Sequence, residues 1–119
     1  MNDAEQPRIT YVSDEDMQAG MATTRGYVVG LLYRGPAYHD DDARRIIWEH
    51  GRRNFGLRAD GKLNVVCPVP DDSDLCGVGI YDATEDEVEV FMRTDPGVVA
   101  GVFRYEVHPC RSFPGDALA

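Results

Sequence analysis

The chain has 119 residues, a formal net charge of −9 and an apolar fraction of 43%. Its length predicts one folded domain, and its apolar share excludes a wholly disordered chain. The acidic balance, with runs at Asp14–Asp16, Asp40–Asp42 and Asp71–Asp74, repels phosphate backbones and anionic surfaces, so neither nucleic acid nor a membrane is expected as a partner.

Residues 1–24 are polar and acidic, interrupted by Pro7 and Gly20; only Ile9, Tyr11 and Val12 resemble a short strand, and the segment reads as an N-terminal arm. Residues 25–113 carry the periodic patterns of a domain, and 114–119 read as a tail. The start of the chain has no apolar core of a signal peptide, and no stretch approaches the roughly 18 apolar residues of a membrane span. Cys67, Cys76 and Cys110 have no C-x-x-C spacing and an odd count, which disfavours a disulfide framework or a zinc site. A cytoplasmic protein is the expectation.

Tyr27–Tyr33 is a nearly continuous apolar run of strand length, closed by Arg34-Gly35-Pro36. Asp40–Asp42 then place carboxylates where a helix dipole favours them, predicting a helix from about Asp41 to Ala59 with Gly61 in the left-handed stop. Lys62–Cys67 and Leu75–Tyr81 read as a hairpin around the Pro70–Asp74 loop. Thr84 with Glu87 forms a capping box that opens a second helix, ending before Asp95-Pro96. From Gly101 to His108 the pattern alternates, with Phe103, Tyr105 and Val107 on one face and Arg104, Glu106 and His108 on the other. The succession β-α-β-β-α-β predicts an α+β, ferredoxin-like fold: one antiparallel sheet with two helices on one face. The other sheet face also needs covering, most simply by a second copy, so a homodimer is expected.

At 100° per residue, Ala43, Ile46, Ile47, His50, Asn54 and Leu57 share one face of the first helix. A histidine inside an apolar stripe must find partners for both ring nitrogens, and an acidic one would fix its tautomer and prepare it for proton transfer. The alternative is a structural histidine on a backbone carbonyl. Asp95 is the acid of choice, although an aspartate before proline also suits plain capping of the following turn. Tyr33, Trp48, Phe55, Tyr81, Phe103 and Tyr105 could line a pocket for a planar ligand, or simply fill the core or a dimer interface. Tyr33, Phe103 and Tyr105 are the choices for ligand contact, and Arg53 could hold an anionic group at the pocket mouth. His39 reads as solvated, and His108, beside Arg104 and Glu106, as exposed or at an interface. No phosphate loop, nucleophile elbow or H-E-x-x-H appears, and one His with one Asp gives too few ligands for a metal.

The chain resembles the YCII-like proteins, small ferredoxin-like domains of the dimeric α+β barrel group. The resemblance runs from about Tyr27 to Arg111. It rests on His50 followed by Leu57-Arg58-Ala59-Asp60-Gly61-Lys62-Leu63 and Cys67-Pro68, and on Asp95-Pro96-x-Val98-x-Ala100-Gly101-x-Phe103 with Tyr105–Pro109 behind it. It implies that His50 and Asp95 match the family's His and Asp, proposed to meet in an active-site cleft. Members with an assigned activity include a dechlorinating enzyme acting on a hydroxylated aromatic ring. The implied function is a cofactor-independent lyase, dehydratase or isomerase for a small aromatic or polyketide-like molecule. The competing expectation is a non-catalytic dimeric module that binds a small ligand or assists a larger enzyme. A haem- or oxygen-handling role, as in other barrel-group proteins, finds no further histidine placed as an axial ligand. Two departures stand out: Cys67-Pro68 replaces the usual Gly-Pro, and the N-terminal arm is additional.

Overall fold

A computed structural model describes residues 6–119, so the part of the expected arm at 1–5 lies outside the described residues. Its contacts divide the chain into two units. One is Gly26–Arg111; the other joins the described residues up to Arg25 with Ser112–Ala119.

The first helix is not among the expected elements. α1 spans Asp14–Met21, and the Oγ of its N-cap Ser13 accepts the Asp16 N–H at 3.1 Å. Asp14, Glu15 and Asp16 in its first turn complement the exposed N–H groups and the dipole. Ile9, Tyr11 and Val12 form no strand and are exposed, which corrects the short-strand reading. A three-residue pattern with no facing strand has nothing to pair with.

After α1, β1 is Arg25–Arg34, α2 is Ala43–Ala59, β2 is Leu63–Pro68 and β3 is Leu75–Tyr81. They are followed by α3 at Glu85–Arg93, the one-turn α4 at Pro96–Val99 and β4 at Phe103–Ser112. The four strands form one sheet in the order β2-β3-β1-β4, with β3 antiparallel to both β1 and β2. The fold is therefore α+β, with four helices among the described residues rather than the two expected.

Local signals explain most boundaries. Thr84 and Glu87 exchange side-chain and backbone hydrogen bonds at 3.2 and 3.1 Å, completing the capping box of α3. α2 stops at Gly61, whose φ of 74° is easily reached only without a Cβ; its N–H donates to Arg58 O, and Lys62 N–H donates to Leu57 O. Gly101 ends α4 in the same way, with φ of 76°. Some boundaries moved: β4 is Phe103–Ser112 rather than Gly101–His108, and α2 starts at Ala43, not Asp41. The preceding loop is pinned to the end of α4, with Gly35 N–H on Val102 O and Ala37 N–H on Gly101 O, so residues up to Asp42 are used in turning back.

The core lies between the helices and one sheet face. Val28 and Leu32 of β1, Leu63 of β2 and Tyr81 of β3 pack with Val88 and Met92 of α3, Ala43 of α2 and Phe103 of β4. On α2, Ala43 is buried and Ile46, Ile47, His50, Asn54 and Leu57 are half-buried, the stripe expected from the spacing. Strand alternation sends Val29 and Ile80, and their neighbours Leu31 and Val78, to the opposite face as cross-strand pairs.

Candidate active site

Asp95 is set by its own backbone. Proline at position 96 keeps the aspartate extended, at φ −64° and ψ 135°, and itself occupies the first position of α4. The carboxylate then folds over the helix start, where Oδ2 accepts Gly97 N–H at 2.8 Å and Val98 N–H at 3.3 Å. A side chain on Gly97 would collide with the Phe103 ring, its Cβ falling 2.5 Å from the nearest ring carbon. Glycine there lets the turn and β4 close around Asp95.

Capping uses only one carboxylate oxygen. The other, Oδ1, stands 2.8 Å from His50 Nδ1. Both readings of Asp95 therefore hold at once: it caps α4 and it partners His50. The pair is well shielded, with 13% of the His50 side chain and 4% of the Asp95 side chain exposed. Phe103 packs against the imidazole, ring centroids 4.9 Å apart.

His50 stands on the wall of a cavity of about 410 Å³ between α2 and the sheet. Along α2, His50, Asn54 and Arg58 recur every four residues and all line it, while Gly77, Tyr81 and Phe103 contribute from the sheet side. Arg58 is exposed and rests 5.1 Å from the Phe55 ring centroid. A Cβ built on Gly77 meets only Cys67 O, at 3.6 Å, so the absence of a side chain keeps this part of the floor open.

The Asp95 carboxylate can only accept, so Nδ1 carries the proton in this pair. In the neutral ring Nε2 is then an acceptor, and the Asn54 amide Nδ2 lies 3.2 Å from it in a position to donate. This arrangement presents an oriented imidazole whose basic nitrogen is at the cavity wall. The Tyr81 hydroxyl is pushed up to about 12, first by burial and then by the nearby Asp95 charge, with Arg53 opposing. Burial also raises the Cys76 thiol, so it stays protonated at neutral pH rather than acting as a thiolate.

The residues expected to bind ligand divide differently. Phe103 lines the cavity; Tyr33, Arg53 and Tyr105 do not. Tyr33 follows Leu32, which faces the helices, so alternation turns it to the opposite sheet face, where Arg104 lies 5.5 Å from its ring. Tyr105 shares a face with Phe103 but donates its hydroxyl to Glu89 of α3 at 2.8 Å. Arg53 is held by Phe91 O and Thr94 Oγ1, with Nη1 3.8 Å from Asp95 Oδ1, and so braces the pair from behind. Its attraction to the last carbonyls of α3 is the usual preference of a cation for a helix C-terminus.

Asn54, Arg58 and Tyr81 also line the cavity and lie outside the four residues expected to bind ligand. Asn54 stands on the stripe four residues after His50, and its amide contact with the ring is the local i, i+4 pairing of one helix. Arg58 occupies the next step of the same stripe. Tyr81 continues the i, i+2 series from Gly77 and Gly79, the only available signal of its orientation. Among the described residues, no group of three or more His, Cys, Asp and Glu could hold a metal ion. His39 and His108 are exposed; His108 Nε2 lies 3.0 Å from Glu106. Compared with known proteins, the chain matches no protein-family model and no curated protein.

Proposed function

We propose that the chain is a cofactor-independent acid–base enzyme, of the lyase, dehydratase or isomerase type, acting on a small aromatic or polyketide-like molecule. The observation that carries this reading is the 2.8 Å contact between His50 Nδ1 and Asp95 Oδ1 at the wall of an otherwise largely apolar cavity. His50 takes or returns a proton through Nε2. Asp95 fixes the ring and balances the charge that appears when Nε2 is protonated. The open floor at Gly77 and the Phe103 ring suit a flat ligand, with Arg58 available for an anionic substituent.

The resemblance to YCII-like proteins supports the same two residues. The strand order β2-β3-β1-β4 supports the ferredoxin-like arrangement. In the proposed homodimer, Val29, Leu31, Val78 and Ile80 on the face opposite the core meet a second copy.

The test is a screen of small aromatic and polyketide-like compounds for thermal stabilisation of the wild-type chain. A ligand at 100 times its Kd should raise stability by about 2.7 kcal/mol. His50→Ala should abolish turnover of such a ligand, and Gly77→Val should abolish binding by filling the floor while remaining folded, since valine suits a strand. Ligands that still bind Gly77→Val and turn over with His50→Ala would refute the site. Binding without any turnover would instead identify a binding module.

A further inference from the structure

We infer that Asn54 is a second catalytic residue, and that the cavity takes an enolisable carbonyl compound whose oxygen replaces His50 as the partner of the Asn54 amide. This deepens the proposed role of His50 as a base and rests on it.

The basic nitrogen already has a partner, because Asn54 Nδ2 lies 3.2 Å from His50 Nε2. A substrate that offered only a proton to be removed would free the lone pair but leave a half-buried amide N–H without its acceptor. A substrate with an adjacent proton donor and oxygen acceptor satisfies both atoms together. In a carbonyl compound, bond lengths place the oxygen about 2.4 Å from the neighbouring carbon. Two hydrogen-bonding atoms 3.2 Å apart can therefore address that carbon-bound proton and that oxygen side by side.

The four-residue spacing on α2 holds the amide and imidazole on one wall, so the relation belongs to a rigid element rather than a loop. Asn54 also lines the same cavity as His50. The chemistry closes without a co-reactant. The C–H bond breaks and its proton goes to Nε2. Its electron pair becomes the new C=C bond, and the carbonyl π pair moves to oxygen. The Asn54 N–H meets the resulting oxyanion, where a positioned donor is worth most. Return of the proton to the same carbon gives exchange; return to another carbon gives an isomer.

Two probes separate this inference from the base reading. 2-Tetralone requires both groups, and its deuterium uptake from D₂O above the buffer rate is followed by NMR. 5-Nitrobenzisoxazole requires a base, while its departing charge spreads into the nitro-substituted ring; its elimination is followed by absorbance. His50→Ala should abolish both. Asn54→Ala and Asn54→Leu, which both remove the donor, should lower kcat for 2-tetralone by about 100-fold and slow the benzisoxazole by less than about tenfold. Equal losses on both probes would show a merely structural asparagine and overturn the inference, as would undiminished tetralone exchange in both variants. If wild type turns over the benzisoxazole through His50 but leaves 2-tetralone untouched, the carbonyl assignment falls and the base reading stands. If neither probe reacts, the base reading falls and takes this inference with it.

Discussion

Among the described residues, two aspartates hold N-cap positions, and they behave differently. Asp42 precedes α2 in the αR region, at φ −82° and ψ −9°, and its side chain makes no cap hydrogen bond. Asp95 precedes α4 in an extended conformation and accepts two N–H groups through one oxygen, leaving the other for His50. The residue type is the same, so the difference lies in context. Pro96 prevents Asp95 from entering the helix, whereas Ala43 places no such constraint on Asp42. Burial then turns the capping aspartate into one half of a site. An acid at a helix start is thus only a candidate; the residue that follows it sets its backbone and so decides whether both oxygens can be used.

The contrast is broken most strongly at Asp95. Asp95→Ala removes the cap and strands the buried Gly97 N–H, so chemical denaturation should show a loss of about 2–4 kcal/mol. Asp95→Asn keeps a cap acceptor and should lose less than half of that. Equal losses in the two variants would mean that charge, not capping, dominates at this position.

The alkaline limb tests the same carboxylate through Tyr81. Its folded pKa is raised from 10.0 to about 12, so the folded state holds this proton more tightly than the unfolded chain does. The stability from this group is complete below pH 10 and is lost as the pH rises from 10 to about 12. Relative to Tyr81→Phe, which lacks the titration, wild type should fall by up to about 2–3 kcal/mol over that window. The fall should shrink in Asp95→Asn, because the Asp95 charge is the second cause of the shift after burial. An unchanged alkaline limb in Tyr81→Phe would refute the assignment.

Asp42→Ala should be the smallest change, within about 0.5 kcal/mol by thermal denaturation, because no side-chain cap is lost. A loss approaching that of Asp95→Ala would erase the distinction between the two helix starts.

Much of the fold was legible where the governing interaction is local. Thr84 and Glu87 sit one turn apart, and Gly61 needs only its own φ to end α2, so both boundaries follow from short sequence windows. The apolar stripe carrying His50 follows from helical spacing alone. α1 was also locally encoded, in Ser13-Asp14-Glu15-Asp16, but its low apolar content hid it behind the look of a polar arm. The start of α2 was misplaced because residues Gly35 and Ala37 are tied to residues more than sixty positions away. The ligand set suffered for the same reason: Tyr33 turned on strand parity, Tyr105 on a glutamate of α3, and Arg53 on carbonyl and hydroxyl groups at the end of that helix.

By itself, the sequence determined that His50 would stand in a buried stripe and that Asp95 would be held extended before a turn. Those properties depend on helical periodicity and on the proline ring, each acting over a few residues. Tertiary structure decided that the two residues meet, that Arg53 is drawn to the end of α3 instead of the cavity, and that glycine at position 77 leaves the floor open. Residues distant along the chain must be packed together before one carboxylate can cap a helix with one oxygen and bind an imidazole with the other.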